Sequence, residues 1–195
     1  GVFGQTLLQE SFDASSFPTS WNVSGNGARW ERTQHGNGSG QQAHSGAGKV
    51  EFDNGGGLLS GLLSLLLPTN TAVMVSPAVD FSQFSGGNNV VNVWIYRTSK
   101  KSSNPDKVEF FMNNSASLNG ASSLGTVYRN KNYAPAVDGT GWYRYSFEVP
   151  ASFNSSTSAY LLIKGTHANG EQILLDDISI SHCASSVYAV VSNVS

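Results

Sequence analysis

The chain has 195 residues, a formal net charge of −2 and only 12% charged residues. This length suits one large all-β domain, and the weak charge excludes an electrostatic case for binding nucleic acid or an anionic membrane. Cys183 is the single cysteine, which excludes an intrachain disulfide and a thiolate metal cluster. The leucine-rich run 58–67 is too short to cross a bilayer.

Short apolar or alternating segments, separated by Gly, Asn, Ser and Pro clusters, predict strands along the whole chain. In chain order they cover residues 6–12, 28–33, 49–52, 72–75, 90–96, 107–113, 123–128, 142–149, 159–165 and 172–181. Glycine is concentrated in 25–57, which predicts a long loop interrupted by short strands. The leucines of 58–66 would line one helical face, but Gly61 leaves a strand or an irregular loop equally open.

About ten strands without βαβ spacing predict an all-β, antiparallel sandwich. We assign 6–182 to this domain, 1–5 to the remainder of an export segment, and 183–195 to an edge strand or a C-terminal linker. The abundance of Gly, Ser, Asn and Thr is typical of exported β-proteins. The sequence therefore favours a secreted or surface protein.

Two adjacent carboxylates, Asp176 and Asp177, interrupt the last apolar strand. Asp is depleted from strands and like charges repel, so something should compensate them. Asp176 shares its predicted strand face with Leu174 and Ile178, which indicates burial. A hard cation or a solvated sheet end would resolve this, as would backbone N–H donors or a cationic partner for Asp176 with Asp177 in solvent.

The order of the motifs resembles that of the cleaved-adhesin and related MAM-like jelly-roll domains. The segments that carry the resemblance are ESFDASSFPTSW at 10–21, VSPAVDF at 75–81, VVNVWIY at 90–96, DKVEFFM at 106–112, LGTV at 124–127, WYRYSFEV at 142–149 and ILLDDISI at 173–180. Ser20 departs from the family pattern, which has Gly before the tryptophan. The resemblance spans nearly the whole chain and is more specific for fold than for function.

The resemblance implies a jelly-roll sandwich (MAM-like or galactose-binding-like) from a secreted or surface bacterial protein, attached to further domains of a larger parent. Such domains act in adhesion or carbohydrate binding and commonly hold a structural Ca²⁺ between the first and last strands. Mapped onto this sequence, the resemblance places Glu10 and Asp13 next to Asp176. Asp53 or Asn54 would supply a further oxygen.

Aromatic side chains are the candidate ligand contacts, because flat rings cover the apolar faces of sugars. Trp30, Tyr133 and Trp142 lie beside predicted loops and are our ligand-binding candidates. Trp21 and Trp94 are expected in the core, since Trp94 lies within an apolar strand. His35 and His44 have no metal-ligand spacing, so we expect solvated loop residues.

We therefore expect a non-enzymatic adhesion module that binds a glycan or an extracellular protein surface. The alternatives are a jelly-roll lyase or glycoside hydrolase, and a structural spacer of a larger surface protein. No catalytic residue is assigned: GNGSG at 36–40 lacks the strand-turn-helix setting of a nucleophile elbow.

Overall fold

A computed structural model describes residues 4–34, 40–53, 70–84, 86–100, 105–168 and 171–184. Within these residues the chain forms eleven strands and a 3₁₀ turn, Ala151–Phe153. The strands are β1 (Gln5–Glu10), β2 (Asn22–Asn26), β3 (Arg29–Gln34), β4 (Gly48–Asp53), β5 (Asn70–Val75), β6 (Asn88–Arg97), β7 (Lys107–Asn113), β8 (Ser122–Tyr128), β9 (Gly141–Glu148), β10 (Tyr160–His167) and β11 (Ile173–Cys183).

The strands form two antiparallel sheets packed face to face, so the predicted jelly-roll sandwich is confirmed. The six-stranded sheet has the order β3-β4-β11-β6-β9, and β1 also pairs with β11. The five-stranded sheet has the order β2-β5-β10-β7-β8. No helix in the described parts of the chain is long and apolar enough to span a membrane.

The strand that the sequence failed to predict is β2, an edge strand paired with β5. Its sequence NVSGN is poor in β-formers, and Val23 is 39% exposed. Gly25 is required there, because a Cβ would lie 2.1 Å from the carbonyl oxygen of Ala28. The leucine run 58–67 and the tail beyond residue 184 lie outside the described residues.

The core consists of the side chains that the two sheets direct toward each other. Trp30 in β3 belongs to it, being 4% exposed, and its Nε1 donates a hydrogen bond to the Ala72 carbonyl in β5 at 3.0 Å. The expectation that Trp30 contacts a ligand is wrong, because its ring fills the space between the sheets and packs against Phe52. Trp21 is also buried, as expected.

The last strand, β11, organises the six-stranded sheet. One edge pairs with β6 over most of its length. Its other edge is shared: β4 pairs with Ile173, Leu174 and Leu175, and β1 pairs from Ile178 onward. The edge at Asp176 and Asp177 is thus left without a partner strand. His44 contacts both aspartates at this unpaired edge.

We predict that Trp30→Phe lowers the free energy of unfolding by about 1–2 kcal/mol, because a buried carbonyl loses a hydrogen-bond donor and the smaller ring leaves space. The matched control is Trp142→Phe, since Trp142 is a partly exposed tryptophan of β9. This variant should lower the free energy of unfolding by less than half as much. Urea unfolding of both variants measures the difference. Equal losses would contradict the placement of Trp30 between the sheets.

Candidate ligand-binding face

A β-bulge in β11 shapes the outer face of the six-stranded sheet. Asp176 pairs with Trp94 and Ser179 pairs with Asn92, so β11 has one residue more than β6 in this interval. Asp177 takes up the extra residue with φ +46°, a conformation that Asp tolerates better than most residues.

The bulge changes which residues share a face. Leu175 and Ile178 both lie in the core although they are three positions apart, and a regular strand would direct two such residues to opposite faces. Asp176 is therefore on the outer face with Trp94, and the expectation that it shares a face with Ile178 is wrong. Its expected burial is nevertheless observed, because the side chain is 0% exposed.

Residues 41–47, which we call the strap, cover Asp176 and cross the outer face. The Asp176 Oδ2 accepts the backbone N–H groups of His44 at 2.9 Å and Ser45 at 3.2 Å. Its Oδ1 accepts the N–H of Asp177 at 2.8 Å. The sequence left several ways to compensate Asp176 open, and in the structure backbone N–H donors compensate its carboxylate.

Two further carboxylates hold the strap. Asp177 Oδ2 lies 2.6 Å from Nδ1 of His44, and both its oxygens accept from the Ser45 hydroxyl at 3.0 and 2.8 Å. Asp13 Oδ1 accepts the Ala47 N–H at 2.5 Å. The strap must have glycine at position 46, where φ is +58° and a Cβ would lie 2.0 Å from Asp13 Oδ1.

The electrostatics of these carboxylates differ with their surroundings. Burial raises the pKa of Asp176 to about 6. The negative charge of Asp177 also raises this pKa, whereas the backbone N–H donors lower it. At the exposed Asp13, the Ala47 N–H lowers the carboxyl pKa. Arg32 donates from Nε to the Phe12 carbonyl at 3.0 Å and from Nη2 to the Ala47 carbonyl at 3.3 Å, so a cation borders the strap.

Two aromatic rings contact the side chain of His44, and a third contacts one of them. Its imidazole stacks on Trp94 with ring centroids 3.7 Å apart and an interplanar angle of 16°. Trp142 meets it edge-on at 6.0 Å, and Tyr96 meets Trp142 edge-on at 5.6 Å. Trp142 Nε1 also donates to the Gln42 carbonyl at 3.2 Å.

Two sequence expectations are corrected by this cluster. Trp94 is partly exposed on the outer face and lies outside the core, because strand alternation directs its neighbours Val93 and Ile95 inward. His44 is a packed member of the strap, whereas a solvated loop residue was expected. The bulged Asp pair was the only sequence signal near it, and nothing in the sequence connects position 44 with position 177.

Two cavities flank the strap on this face. The first, of about 310 Å³, lies against Tyr96 and Leu174 and has Lys100 and Glu171 at its rim. The second, of about 260 Å³, is polar; its lining consists of Gln9, Asn92, Trp94, Arg144, Asp177 and Ser179. Both are near the lower end of the range of small-molecule sites, roughly 300–1,000 Å³.

Several hydrogen-bonding side chains line the second cavity. Asn92 Oδ1 accepts from Arg144 Nη2 at 2.9 Å and from the Ser146 hydroxyl at 2.7 Å. Within the described residues, the amide nitrogen of Asn92, the remaining guanidinium nitrogens of Arg144 and the side chain of Gln9 have no hydrogen-bond partner. These donors and acceptors border the cavity beside the Trp94 ring.

Tyr133 lies at a rim of the sandwich, outside both cavities. It is 37% exposed and its ring is 5.4 Å from that of Tyr128. Buried Arg97 fixes this loop by donating to the carbonyls of Asn130 at 2.8 Å and Tyr133 at 2.9 Å. Of the three ligand-binding candidates from the sequence, Trp142 alone lies on the outer face between the cavities.

Comparison with known proteins gives no match to any family model and none to a curated protein. Among solved structures, the K1 cleaved adhesin domain of Lys-gingipain from Porphyromonas gingivalis W83 is similar with a TM-score of 0.62 and 16% identity, covering 91% of this chain and 98% of that domain. The chain has the cleaved adhesin fold. The fold that the resemblance implied is therefore confirmed.

The cleaved adhesin fold is shared by proteins of different activity. TmCBM61, solved in complex with β-1,4-galactotriose, matches with a TM-score of 0.53 and 16% identity over 91% of this chain and 99% of its own. A Stig cyclase from Fischerella sp. TAU matches with a TM-score of 0.54 and 10% identity over 90% and 95%. At these identities the likeness concerns fold alone.

Three of the expected calcium ligands, Glu10, Asp13 and Asp53, lie at or just after the ends of β1 and β4. Glu10 Oε1 accepts the N–H of Phe12 at 2.8 Å, Asp13 accepts from the strap, and Asp53 lies at the end of β4 opposite Arg29. Among the described residues, none of these three joins Asp176 in a group of ligands at metal-binding distance. Calcium binding stays a prediction.

The group that does come together comprises His44, Asp176 and Asp177, with ligand atoms within 4.8 Å of one another. Two ligands of a tetrahedral ion with bonds of about 2.0–2.1 Å lie roughly 3.3 Å apart. The His44–Asp177 distance of 2.6 Å is shorter and is that of a hydrogen bond. As arranged, these residues fix the strap.

The raised pKa of Asp176 predicts a specific pH dependence. The folded protein binds this proton more tightly than the unfolded chain, whose carboxyl has a pKa of 3.8. The free energy of unfolding of the wild type, relative to Asp176→Asn, should therefore be highest below pH 3.8 and fall by roughly 3 kcal/mol as pH rises through about 6. Denaturation at a series of pH values measures this, and a difference that rises with pH would contradict it.

Proposed function

We propose that this domain is a non-enzymatic carbohydrate-binding module of an exported protein, and that the outer face of the six-stranded sheet is its binding site. The observation that carries the proposal is the juxtaposition of partly exposed Trp94, Tyr96 and Trp142 with two cavities, the second of which has polar groups without partners among the described residues. Sugars need this combination, because each ring presents apolar C–H faces and a rim of hydroxyl groups.

The polar groups suit hydroxyl recognition. Arg144 and the amide nitrogen of Asn92 supply donors, and the amide of Gln9 supplies a donor and an acceptor, so together they can satisfy both roles of a hydroxyl. Opposite charges border each cavity: Arg144 faces Asp177 in one, and Lys100 accompanies Glu171 in the other. This balance favours a neutral sugar over a strongly anionic one.

The comparisons support a binding role at the level of fold. The similar solved structures include an adhesin domain and TmCBM61 with a bound galactotriose. The same likeness, together with the composition rich in small polar residues, supports a secreted or surface location in a bacterium. An extracellular protein surface is the second partner class that we expected. A pair of small cavities, one of them lined mainly by polar groups, supports a glycan more directly than a broad protein contact.

An enzymatic role has less support. Asp176 has a raised pKa, as catalytic acids often do. However, the residue is fully buried and its carboxylate accepts three backbone N–H groups, so a substrate cannot reach it. The imidazole of His44 is similarly held between Asp177 and Trp94.

A glycan array followed by calorimetry tests the binding role. We expect Trp142→Ala and Arg144→Ala each to weaken the best sugar ligand at least tenfold, because one removes stacking area and the other removes hydrogen-bond donors. Tyr133→Ala is the matched control at the rim and should leave affinity within twofold. If no sugar on the array binds with or without Ca²⁺, the carbohydrate proposal is wrong and the spacer role replaces it.

We also propose a structural Ca²⁺ near the junction of β1 and β11, with Glu10 and Asp13 as the accessible carboxylates. Oxygen donors of this type are the ligands that calcium prefers, although Arg32 already supplies positive charge at this junction. Calcium should raise the melting temperature and a chelator should lower it, with Glu10→Gln abolishing the response. Identical melting curves in calcium and in chelator would remove the metal from the proposal.

A further inference from the structure

We infer that the strap, through His44, makes this module specific for single sugar residues at the ends or branches of a glycan. In this role His44 is a specificity-determining residue that prevents an extended chain from lying along the sheet. The inference rests on the proposed carbohydrate function and concerns the same face.

Strand β6 provides a continuous track for a ligand. Asn92, Trp94 and Tyr96 follow one another on its outer side, and Thr98 lies just beyond its end; the first two line one cavity and the last two line the other. Six residues of strand span about 20 Å, which is long enough for several linked sugar rings. If nothing crossed this track, the two cavities would form one groove suited to an internal stretch of a polysaccharide.

His44 occupies the middle of that track. Its imidazole lies 3.7 Å from the Trp94 ring, centroid to centroid and nearly parallel, and this is van der Waals contact. A sugar ring cannot enter between them. The imidazole therefore takes the stacking place on Trp94 that a central sugar would need, and Trp142 closes the adjoining space edge-on.

The strap is fastened on both sides of His44. Asp176 binds two consecutive backbone N–H groups, Asp177 binds the imidazole and the Ser45 hydroxyl, and Asp13 binds the N–H of Ala47. Toward β9, the Gln42 carbonyl accepts from Trp142. Lifting the strap would break these bonds together and expose the Asp176 carboxylate. A ligand that only stacks on Trp94 does not replace them.

Each remaining cavity has a volume that suits one ring. The 260 Å³ cavity combines an edge of the Trp94 indole with Arg144, Asn92 and Gln9, which is enough to orient one sugar. A residue at a chain end or a branch can enter it while the rest of the glycan points into solvent. A residue inside a linear chain would have to continue into the imidazole of His44.

Calorimetry with short and long sugars of one type tests whether His44 restricts binding to single sugar residues. The probes are galactose with β-1,4-galactotriose, and xylose with xylohexaose. For at least one pair, the wild type should bind the short and the long sugar with affinities within threefold. His44→Ala, which opens the track yet keeps the backbone N–H for Asp176, should bind the long sugar at least tenfold tighter than the short one. Tyr133→Ala should retain the wild-type profile.

A measurement without sugar tests the cover on Trp94 directly. Trp21 and Trp30 are buried, so in a Trp142→Phe background Trp94 is the accessible tryptophan. Adding His44→Ala should at least double the quenching of its fluorescence by acrylamide. Unchanged quenching would show that the imidazole does not cover the ring and would overturn the inference.

The two proposals fail in distinguishable ways. The strap does not set specificity if the wild type already binds xylohexaose or galactotriose tenfold tighter than the monosaccharide. The same holds if His44→Ala binds the short and the long sugar equally well. In both cases the carbohydrate function stands. If neither protein binds any of the four sugars and the glycan array is also negative, the carbohydrate function falls and the specificity falls with it.

Discussion

The buried carboxylate of Asp176 is the interaction on which the outer face depends. A carboxylate without water must be compensated, and here three backbone N–H groups do this, two of them from the strap. The strap consequently lies where it can donate those N–H groups. Its position brings His44 onto Trp94 and Gln42 to Trp142, and so separates the two cavities. One desolvated acceptor thereby determines the shape of a surface that extends over three strands.

The bulge at Asp177 makes this arrangement compatible with a packed sandwich. If β11 were regular through Asp177, with no bulge, Asp176 and Ile178 would lie on the same face, and either the charge would enter the core or the isoleucine would leave it. The positive φ of Asp177 absorbs the change within one residue. The same residue then uses its carboxylate to bind His44 and Ser45. The unusual backbone conformation and the contacts that hold the strap therefore occur at the same residue.

Sequence reasoning recovered the sandwich because its strands carry a strong apolar pattern, and ten of the eleven strands follow that pattern. It missed β2, whose polar NVSGN sequence forms a strand only because β5 offers it an edge. It placed Trp94 inside and Trp30 at a ligand, because an apolar strand alone does not indicate which face is covered. His44 was missed for a different reason: its partners lie more than 130 positions away, so no local pattern indicates the contact.

That separation also bears on how the domain assembles. The strap precedes β4 in the first quarter of the chain, whereas its principal anchors belong to the final strand. Contacts between such distant segments close large loops and form late in folding. During synthesis, the outer face can therefore form only after β11 has docked. A truncated or nicked product that lacks β11 would retain most of the hydrophobic sequence but not the anchored strap, so the outer face forms only when the whole domain is intact.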